Sequence, residues 1–340
     1  MAEQAQERVT IVGDGQMGVV MAAMLAERGV PATVWGPFPE AIRALAASRR
    51  SPRLPGLALP AAIRFEPDAR TALADATLAV NAVPTQFVRA AWKDAAAHLA
   101  PGVPVVSVTK GIEDGTLLRP SEVIAQAVPQ AGGARRVAVL SGPTIAAELA
   151  ARLPATMVSA SADAELAERV QRTFSLPWIR IYTNHDVVGV EIAGAAKNVV
   201  ALAAGMVDGL GLGSNAKSAL LARGLAEIVR FGTGLGARPE TFFGIAGVGD
   251  LATTCFSPEG RNRSCGEAIG RGESLASYLA RTDSVVEGVA TSHALLALAS
   301  RHGVDMPIVR AVESILFHGK TPAEAIRDLM GREARAERVG

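Results

Sequence analysis

The chain has 340 residues, more than a single small domain needs, and two domains are expected. Its 34 basic and 33 acidic side chains nearly cancel, and no long basic block is present. That balance argues against a nucleic acid or an anionic membrane as partner. Met1 to Glu7 is polar rather than a charged-then-apolar leader, and Lys197 and Asp208 interrupt the best candidate for a membrane span. Cys255 and Cys265 lack metal or redox spacing, and the five histidines are scattered, so no metal is expected. Free thiols without an export signal point to the cytosol.

In chain order, Arg8 to Val12 reads as a buried strand. Gly13-Asp14-Gly15-Gln16-Met17-Gly18 follows, then an apolar helix from Val19 to Glu27, Gly29, and a second strand from Ala32 to Trp35. A glycine turn between strand and helix suits a dinucleotide. The first glycine permits the turn, the second admits a pyrophosphate, and the third lets helix and strand pack. The alternative is a glycine-rich turn without a ligand. An acid that ends the second strand usually selects NAD, and a nearby base NADP. Here Trp35 is followed by Gly36-Pro37-Phe38-Pro39, so the sequence chooses neither.

Strands are expected at Ile63 to Phe65, Leu78 to Val83, Val103 to Val108, Val137 to Leu140, Ala155 to Ala160 and Ile179 to Tyr182. Helices are expected at Ala90 to Leu99, Ser121 to Val128, Ala146 to Ala151 and Glu165 to Thr173. The alternation predicts an α/β domain with a Rossmann-like, mostly parallel sheet, its ligands beyond the carboxyl ends of the strands. Val83 to Gln86, Thr109 to Gly111 and Ser141 to Thr144 lie at such ends. After Asn184 strand signals stop and an all-helical C-terminal domain is expected, closing with the capping box Thr321-Pro322-Ala323-Glu324. The boundary falls near His185, giving domains 1–184 and 185–340.

Val187 to Val207 is too long and too alanine-rich for a strand and reads as helix. Gly194, Ala193, Ala201 and Ala204 lie on or near the face of Lys197, at helical spacings of three, four and seven. This leaves room for a small molecule beside the ammonium. The ordinary alternative is a lysine whose stem runs along an apolar helix to water. Gly205 to Asn215 reads as a glycine-rich turn, Gly247 to Leu251 as an apolar loop carrying Asp250, and Gly260-Arg261-Asn262-Arg263 as a helix start suited to a phosphate. Their ordinary alternatives are a loop cap for Asp250 and a surface salt bridge for Arg261.

Together these segments resemble bacterial NAD(P)-dependent glycerol-3-phosphate dehydrogenase. The resemblance is carried by Gly13 to Gly18, Leu54-Pro55-Gly56, Val83 to Gln86, Thr109-Lys110-Gly111, Ser141 to Thr144 with Glu148, Gly194 to Val199, Gly247 to Leu251, Arg261 to Arg263, Val286-Glu287-Gly288 and Met306-Pro307. They span almost the whole chain. The resemblance implies reversible reduction of dihydroxyacetone phosphate by NAD(P)H to sn-glycerol 3-phosphate, a phospholipid precursor, in a cytoplasmic homodimer.

The same resemblance assigns roles. Lys197 matches the catalytic lysine, and Lys110, Gly142, Thr144, Asp250, Gly260, Arg261 and Asn262 match positions that contact substrate. Gly13, Gly15, Gln16, Met17, Gly18, Lys110, Ala146, Arg261, Val285 and Glu287 match positions that contact the cofactor, NAD or NADP. A ketone reduction needs a hydride and a proton. Lys197 is expected to donate the proton, Asp250 to orient it, and Lys110 to add positive field. Pro37 in place of a frequent His or Arg, and Gly260 in place of a frequent serine, depart from the bacterial pattern. The alternatives are a β-hydroxyacid or ketopantoate-type dehydrogenase, which would lack the Arg261 to Arg263 block, and a nucleotide sensor without turnover.

Overall fold

The coordinates are a computed structural model that describes residues 7–128, 135–333 and 336. The chain divides into two compact units. The first comprises residues up to Thr109 together with Pro120–Val187; the second comprises Lys110–Arg119 together with the chain from Val188 onward.

The first unit begins β1 (Val9–Val12), α1 (Gln16–Glu27), β2 (Ala32–Trp35), α2 (Pro39–Ser48), β3 (Arg50–Ser51), β4 (Leu54–Ala58) and β5 (Ile63–Phe65). It continues α3 (Ala69–Leu73), β6 (Leu78–Asn81), α4 (Val88–Ala95), β7 (Val105–Ser107), α5 (Pro120–Ala127), β8 (Val137–Ser141), α6 (Ala146–Ala150), β9 (Ala155–Ala160), α7 (Ala164–Phe174) and β10 (Ile179–Asn184). Eight strands form one sheet in the order β10-β9-β8-β7-β6-β1-β2-β5, while β3 and β4 pair separately. β1 and β6 are buried along their whole length and lie in the sheet's interior, as strands with both faces covered do. From β5 to β8 neighbours run parallel; β9 is antiparallel to β8, and β10 runs parallel to β9.

The strand order reverses between β1 and β6, so a crevice opens at their carboxyl ends. A buried polar network fixes that edge. Trp92 Nε1 donates to Asn81 Oδ1 at 2.9 Å, Asn81 Nδ2 donates to Thr109 Oγ1 at 2.8 Å, and Thr109 Oγ1 donates to the Val83 carbonyl at 2.7 Å.

The second unit carries nine α-helices among the described residues: α8 (Val187–Gly209), α9 (Gly213–Gly234), α10 (Pro239–Phe242), α11 (Asp250–Phe256), α12 (Arg261–Gly270), α13 (Leu275–Ala280), α14 (Glu287–Arg301), α15 (Pro307–Phe317) and α16 (Pro322–Met330). The capping box foreseen at Thr321 opens α16. α8 is the axis of the unit's core: Ile192, Ala195, Val199, Leu202 and Ala204 all pack in one cluster with Phe231 and Phe242. It is long and apolar enough to cross a membrane, yet 89% of its most apolar window is buried inside the protein, as in a core helix.

Two sequence expectations are corrected here. Gly205 to Asn215 is not all turn: α8 continues to Gly209, and only residues 210–212 separate it from α9. Its glycines serve packing rather than breaking, as described below. Asp250 does not sit in a loop but is the first residue of α11.

Candidate active site

The first unit carries a glycine cradle. Gly13 has φ of +122°, and a Cβ there would stand 2.7 Å from the Ala82 carbonyl oxygen. Only glycine lets β1 turn this close to the end of β6. A Cβ on Gly18 would meet the Gly13 carbonyl oxygen at 2.0 Å, so the third glycine lets α1 return over the turn. Gly15 is different, since a Cβ there would meet nothing within 4 Å. It is the N-cap of α1, and no side chain caps the helix. The first-turn N–H groups of Gln16, Met17 and Gly18 therefore have no intrahelical acceptor and no capping side chain. Open space beside an uncapped helix start fits a pyrophosphate. Gln16 also donates its side-chain amide to the Arg53 carbonyl, which pins the start of α1 to the β3–β4 hairpin.

The loop after β8 carries Gly142, with φ of +136°, and Thr144, whose hydroxyl donates to the Gly142 carbonyl at 3.0 Å. Ala146 is the first residue of α6.

The second unit carries a cluster of three charges. Lys197, near the middle of α8, is only 6% exposed, and Asp250 is 2% exposed. Asp250 Oδ1 lies 3.0 Å from Lys197 Nζ, and Oδ2 accepts from Lys110 Nζ at 2.6 Å. One buried carboxylate thus stands between two ammonium groups, one on each oxygen. Lys197 Nζ also donates to Thr254 Oγ1 at 2.6 Å, and that hydroxyl donates to the Asp250 carbonyl one helical turn back at 2.7 Å. Burial pulls the Lys197 pKa down to about 8; Asp250 opposes this, and Lys110 adds to it.

Local structure explains how these groups meet. Ahead of Asp250 the chain makes a tight turn over Ile245–Gly249, where a Cβ on Gly247 would fall 2.0 Å from the Phe242 carbonyl oxygen. The turn delivers Asp250 to the start of α11. Lys110 arrives on the excursion 110–119, fastened to α8 at both ends. Asn198 Nδ2 donates to the Lys110 carbonyl at 3.4 Å, and Arg119 pairs with the buried Glu191 at 2.7 Å.

The start of α12 is set by backbone contact. A Cβ on Gly205 would stand 1.9 Å from the Arg263 carbonyl oxygen, and one on Gly209 would stand 2.3 Å from that of Glu267. From the other side, Gly266 would meet the Leu202 carbonyl oxygen at 2.0 Å and Gly270 that of Met206 at 2.5 Å. Four glycines, two per helix at spacing four, let α8 and α12 touch along their backbones. Asp208 adds an ionic tie, accepting from Arg263 Nε at 2.7 Å and from Lys217 Nζ at 2.7 Å. Gly260 is the N-cap of α12, Arg261 is exposed at its first position, and Asn262 is buried. Asn262 Oδ1 accepts from the Gly288 N–H at 2.8 Å, which joins α12 to the start of α14, beside Val285 and Glu287.

Within the second unit the fold thus gathers Lys110, Lys197 and Asp250 into one contact. Arg261 and Asn262 open a neighbouring helix, and Val285 and Glu287 flank the turn that Asn262 holds. Gly13 to Gly18, Gly142, Thr144 and Ala146 belong to the first unit. Thr254 was not foreseen; its spacing of four from Asp250 on one helix face was the available signal. Asn198, next to the lysine on α8, fastens the excursion that carries Lys110.

Comparison with known proteins identifies the family. Residues 8–167 match the N-terminal model of NAD-dependent glycerol-3-phosphate dehydrogenase, and residues 186–327 match its C-terminal model. The chain belongs to the NAD-dependent glycerol-3-phosphate dehydrogenase family. The enzyme of this name, with NAD(P)+ as its stated cofactor, from Thermobifida fusca is 46% identical over 98% of this chain and 99% of its own. The one from Streptomyces coelicolor is 45% identical over 97% and 98%. The crystal structure of glycerol-3-phosphate dehydrogenase from Coxiella burnetii superposes with a TM-score of 0.91 at 31% identity, covering 96% of this chain and 99% of that one. Membership in this dehydrogenase family agrees with a glycine cradle in one unit and a lysine–aspartate–lysine cluster in the other.

Proposed function

We propose that this chain interconverts dihydroxyacetone phosphate and sn-glycerol 3-phosphate by Lys197-assisted proton transfer, with NAD(H) or NADP(H) as redox partner. The observation that carries the assignment of the acid is the Asp250 carboxylate held between Lys110 and Lys197.

The nicotinamide cofactor supplies or accepts the hydride. Gly13, Gly15, Gln16, Met17 and Gly18 hold its pyrophosphate through the uncapped start of α1; Ala146, Val285 and Glu287 complete the cofactor contacts. Gly142 and Thr144 bind the triose. Arg261, with Gly260 and Asn262, takes the phosphate at the start of α12, so binding energy remote from the ketone fixes its orientation. Lys110 places positive charge where oxygen becomes an alkoxide. Lys197 Nζ donates a proton to that oxygen in reduction and accepts it back in oxidation. An ammonium with a pKa of about 8 suits both directions, since neither protonation state is far from neutral pH. Two of its three donor positions are engaged by Thr254 and Asp250, which aims the third.

We infer the first unit to be the cofactor domain and the second unit, which includes Lys110–Arg119, to be the substrate and catalytic domain. The product feeds glycerophospholipid synthesis, and the enzyme acts as a cytoplasmic homodimer. Buried free thiols at Cys255 and Cys265 support a reducing compartment; light scattering after size exclusion tests the dimer.

The central test is oxidation of reduced nicotinamide by the purified chain with dihydroxyacetone phosphate. Lys197→Met is expected to lower kcat by about 10²–10⁴-fold while cofactor binding is kept. Near-normal turnover in that variant would overturn the assignment of the acid.

A further inference from the structure

The sequence lacks the strand-end acid that holds the ribose hydroxyls of NAD, since Trp35 is followed by Gly36-Pro37-Phe38-Pro39. In the fold, a carboxylate reaches that place from the glycine turn. The parallel pairing of β1 and β2 ends at Val12 and Trp35, and the Gly13 N–H donates to the Trp35 carbonyl at 2.8 Å. The next residue, Asp14, lays its side chain against Gly36. A Cβ built on Gly36 would stand 3.0 Å from Asp14 Oδ1, 3.2 Å from its Cγ and 3.4 Å from its Cβ. Gly36 is buried and Asp14 half-buried. The missing side chain at the strand end and the acid in the turn therefore occupy one place.

The first two bases that follow, Arg43 and Arg49, are directed elsewhere. Arg43 pairs with Glu40, while Arg49 donates to the Ile63 carbonyl at 2.7 Å and stacks over Phe65 at 5.3 Å. A carboxylate at the end of the second strand accepts from ribose hydroxyls and opposes a phosphate in their place.

We propose that Asp14 determines cofactor specificity, standing in for the strand-end acid and selecting NAD(H) over NADP(H). The inference rests on the cofactor role of the glycine cradle given above, but not on the identity of the substrate.

The test is equilibrium titration of the substrate-free protein with NADH and with NADPH, read by fluorescence of the bound nicotinamide. The wild type, Asp14→Asn, Asp14→Ser and Arg53→Ala are compared, with melting temperatures recorded for each. The wild type is expected to bind NADH about tenfold or more tighter than NADPH, a difference of about 1.4 kcal/mol. Asp14→Asn, which keeps the shape and removes the charge, is expected to narrow that ratio about tenfold, chiefly through tighter NADPH. Asp14→Ser should do the same, and steady-state kcat/KM ratios should follow. A wild type that prefers NADPH, or binds both equally, overturns the proposal without any variant. So does an NADH preference that survives both Asp14 substitutions. A preference for NADPH that Arg53→Ala abolishes would assign the selection to the β3–β4 hairpin, beside Gln16, instead. Selective NADH binding without turnover of dihydroxyacetone phosphate would sink the substrate assignment and leave this one standing. Turnover with both cofactors at equal efficiency would do the reverse.

Discussion

Replacing Asp250 by asparagine tests the electrostatics of the site most directly. The three largest influences on the Lys197 pKa of about 8 are burial, which lowers it, Asp250, which raises it, and Lys110, which lowers it. Asp250→Asn removes the largest influence that favours the charged amine and leaves the two that oppose it. An opposite charge at hydrogen-bond range is worth about 1–3 pKa units, and Asp250 Oδ1 lies 3.0 Å from the ammonium. With a loss of about 2 units, the protonated fraction at about pH 7.5 falls from roughly three-quarters to roughly 3%, about 25-fold less acid form. The assay is kcat/KM for ketone reduction across about pH 5.5 to 9.5. The wild-type rate is expected to fall as pH rises through about 8, where Lys197 loses its proton. In the variant that limb should move down by about 1–3 units. Lys110→Met should move it up, because the neighbouring cation is then gone. A limb that stays near the wild-type value, with activity lost equally at every pH, would refute the reasoning. It would leave Asp250 a positioning role only. Movement of both variants in the same direction would also refute it.

Three further outcomes follow from other parts of the second unit. Arg261→Ala, at the exposed start of α12, is expected to raise KM for the phosphorylated ketone by about 10–100-fold, the worth of one or two charge-assisted hydrogen bonds; steady-state kinetics check it. Gly205→Ala would put a methyl group 1.9 Å from the Arg263 carbonyl oxygen and must push α12 off α8, at a cost of about 1–3 kcal/mol, readable by calorimetry. Glu227 accepts from the Ile308 N–H at 2.8 Å, and burial pushes its pKa up to about 7. Its folded pKa lies above the unfolded value, so its contribution to stability is full below about pH 4.5 and is lost as pH rises through about 7. Melting scans across that window should show a decline on the order of 3 kcal/mol that Glu227→Gln flattens; parallel curves would reject the effect.

Much of the fold could be read locally, because strands buried in the sheet are short and mostly apolar and are bounded by turn residues. Val9 to Val12, Leu78 to Asn81 and Ala155 to Ala160 announce themselves this way. What escaped has a physical reason. α2 buries only Ile42 and Leu45, too little to display a periodic face, and it opens on Pro39, close behind Pro37. The β3–β4 hairpin contains Pro55 and Gly56 and pairs only two residues of β3. Strand direction is not a local property at all. Nothing in Ala155 to Ala160 says that it will run antiparallel to β8 while the strands before it run parallel. From sequence, the glycines of Gly205 to Asn215 read as a turn because glycine breaks isolated helices. In a packed pair it does the opposite, admitting a neighbouring backbone, and only the partner glycines Gly266 and Gly270 reveal which use applies.

The same limit governs the site. Helical spacing put Lys197 over small residues, but it could not separate a solvated lysine from a buried one. That distinction belongs to α11, whose Asp250 and Thr254 meet the ammonium from more than fifty positions away along the chain. Lys110 is harder still, since residues 110–119 leave the first unit's sequence to join the second, a detour no local pattern announces. Asp14 makes the point most sharply. Read along the second strand, the acid that discriminates cofactors is absent. Read through the pairing of β1 with β2, a carboxylate from the glycine turn lies against the residue that lacks one. A fingerprint states which residue types a ligand needs and at what spacing. The fold needs only a charge at a place, and a different segment can bring it there.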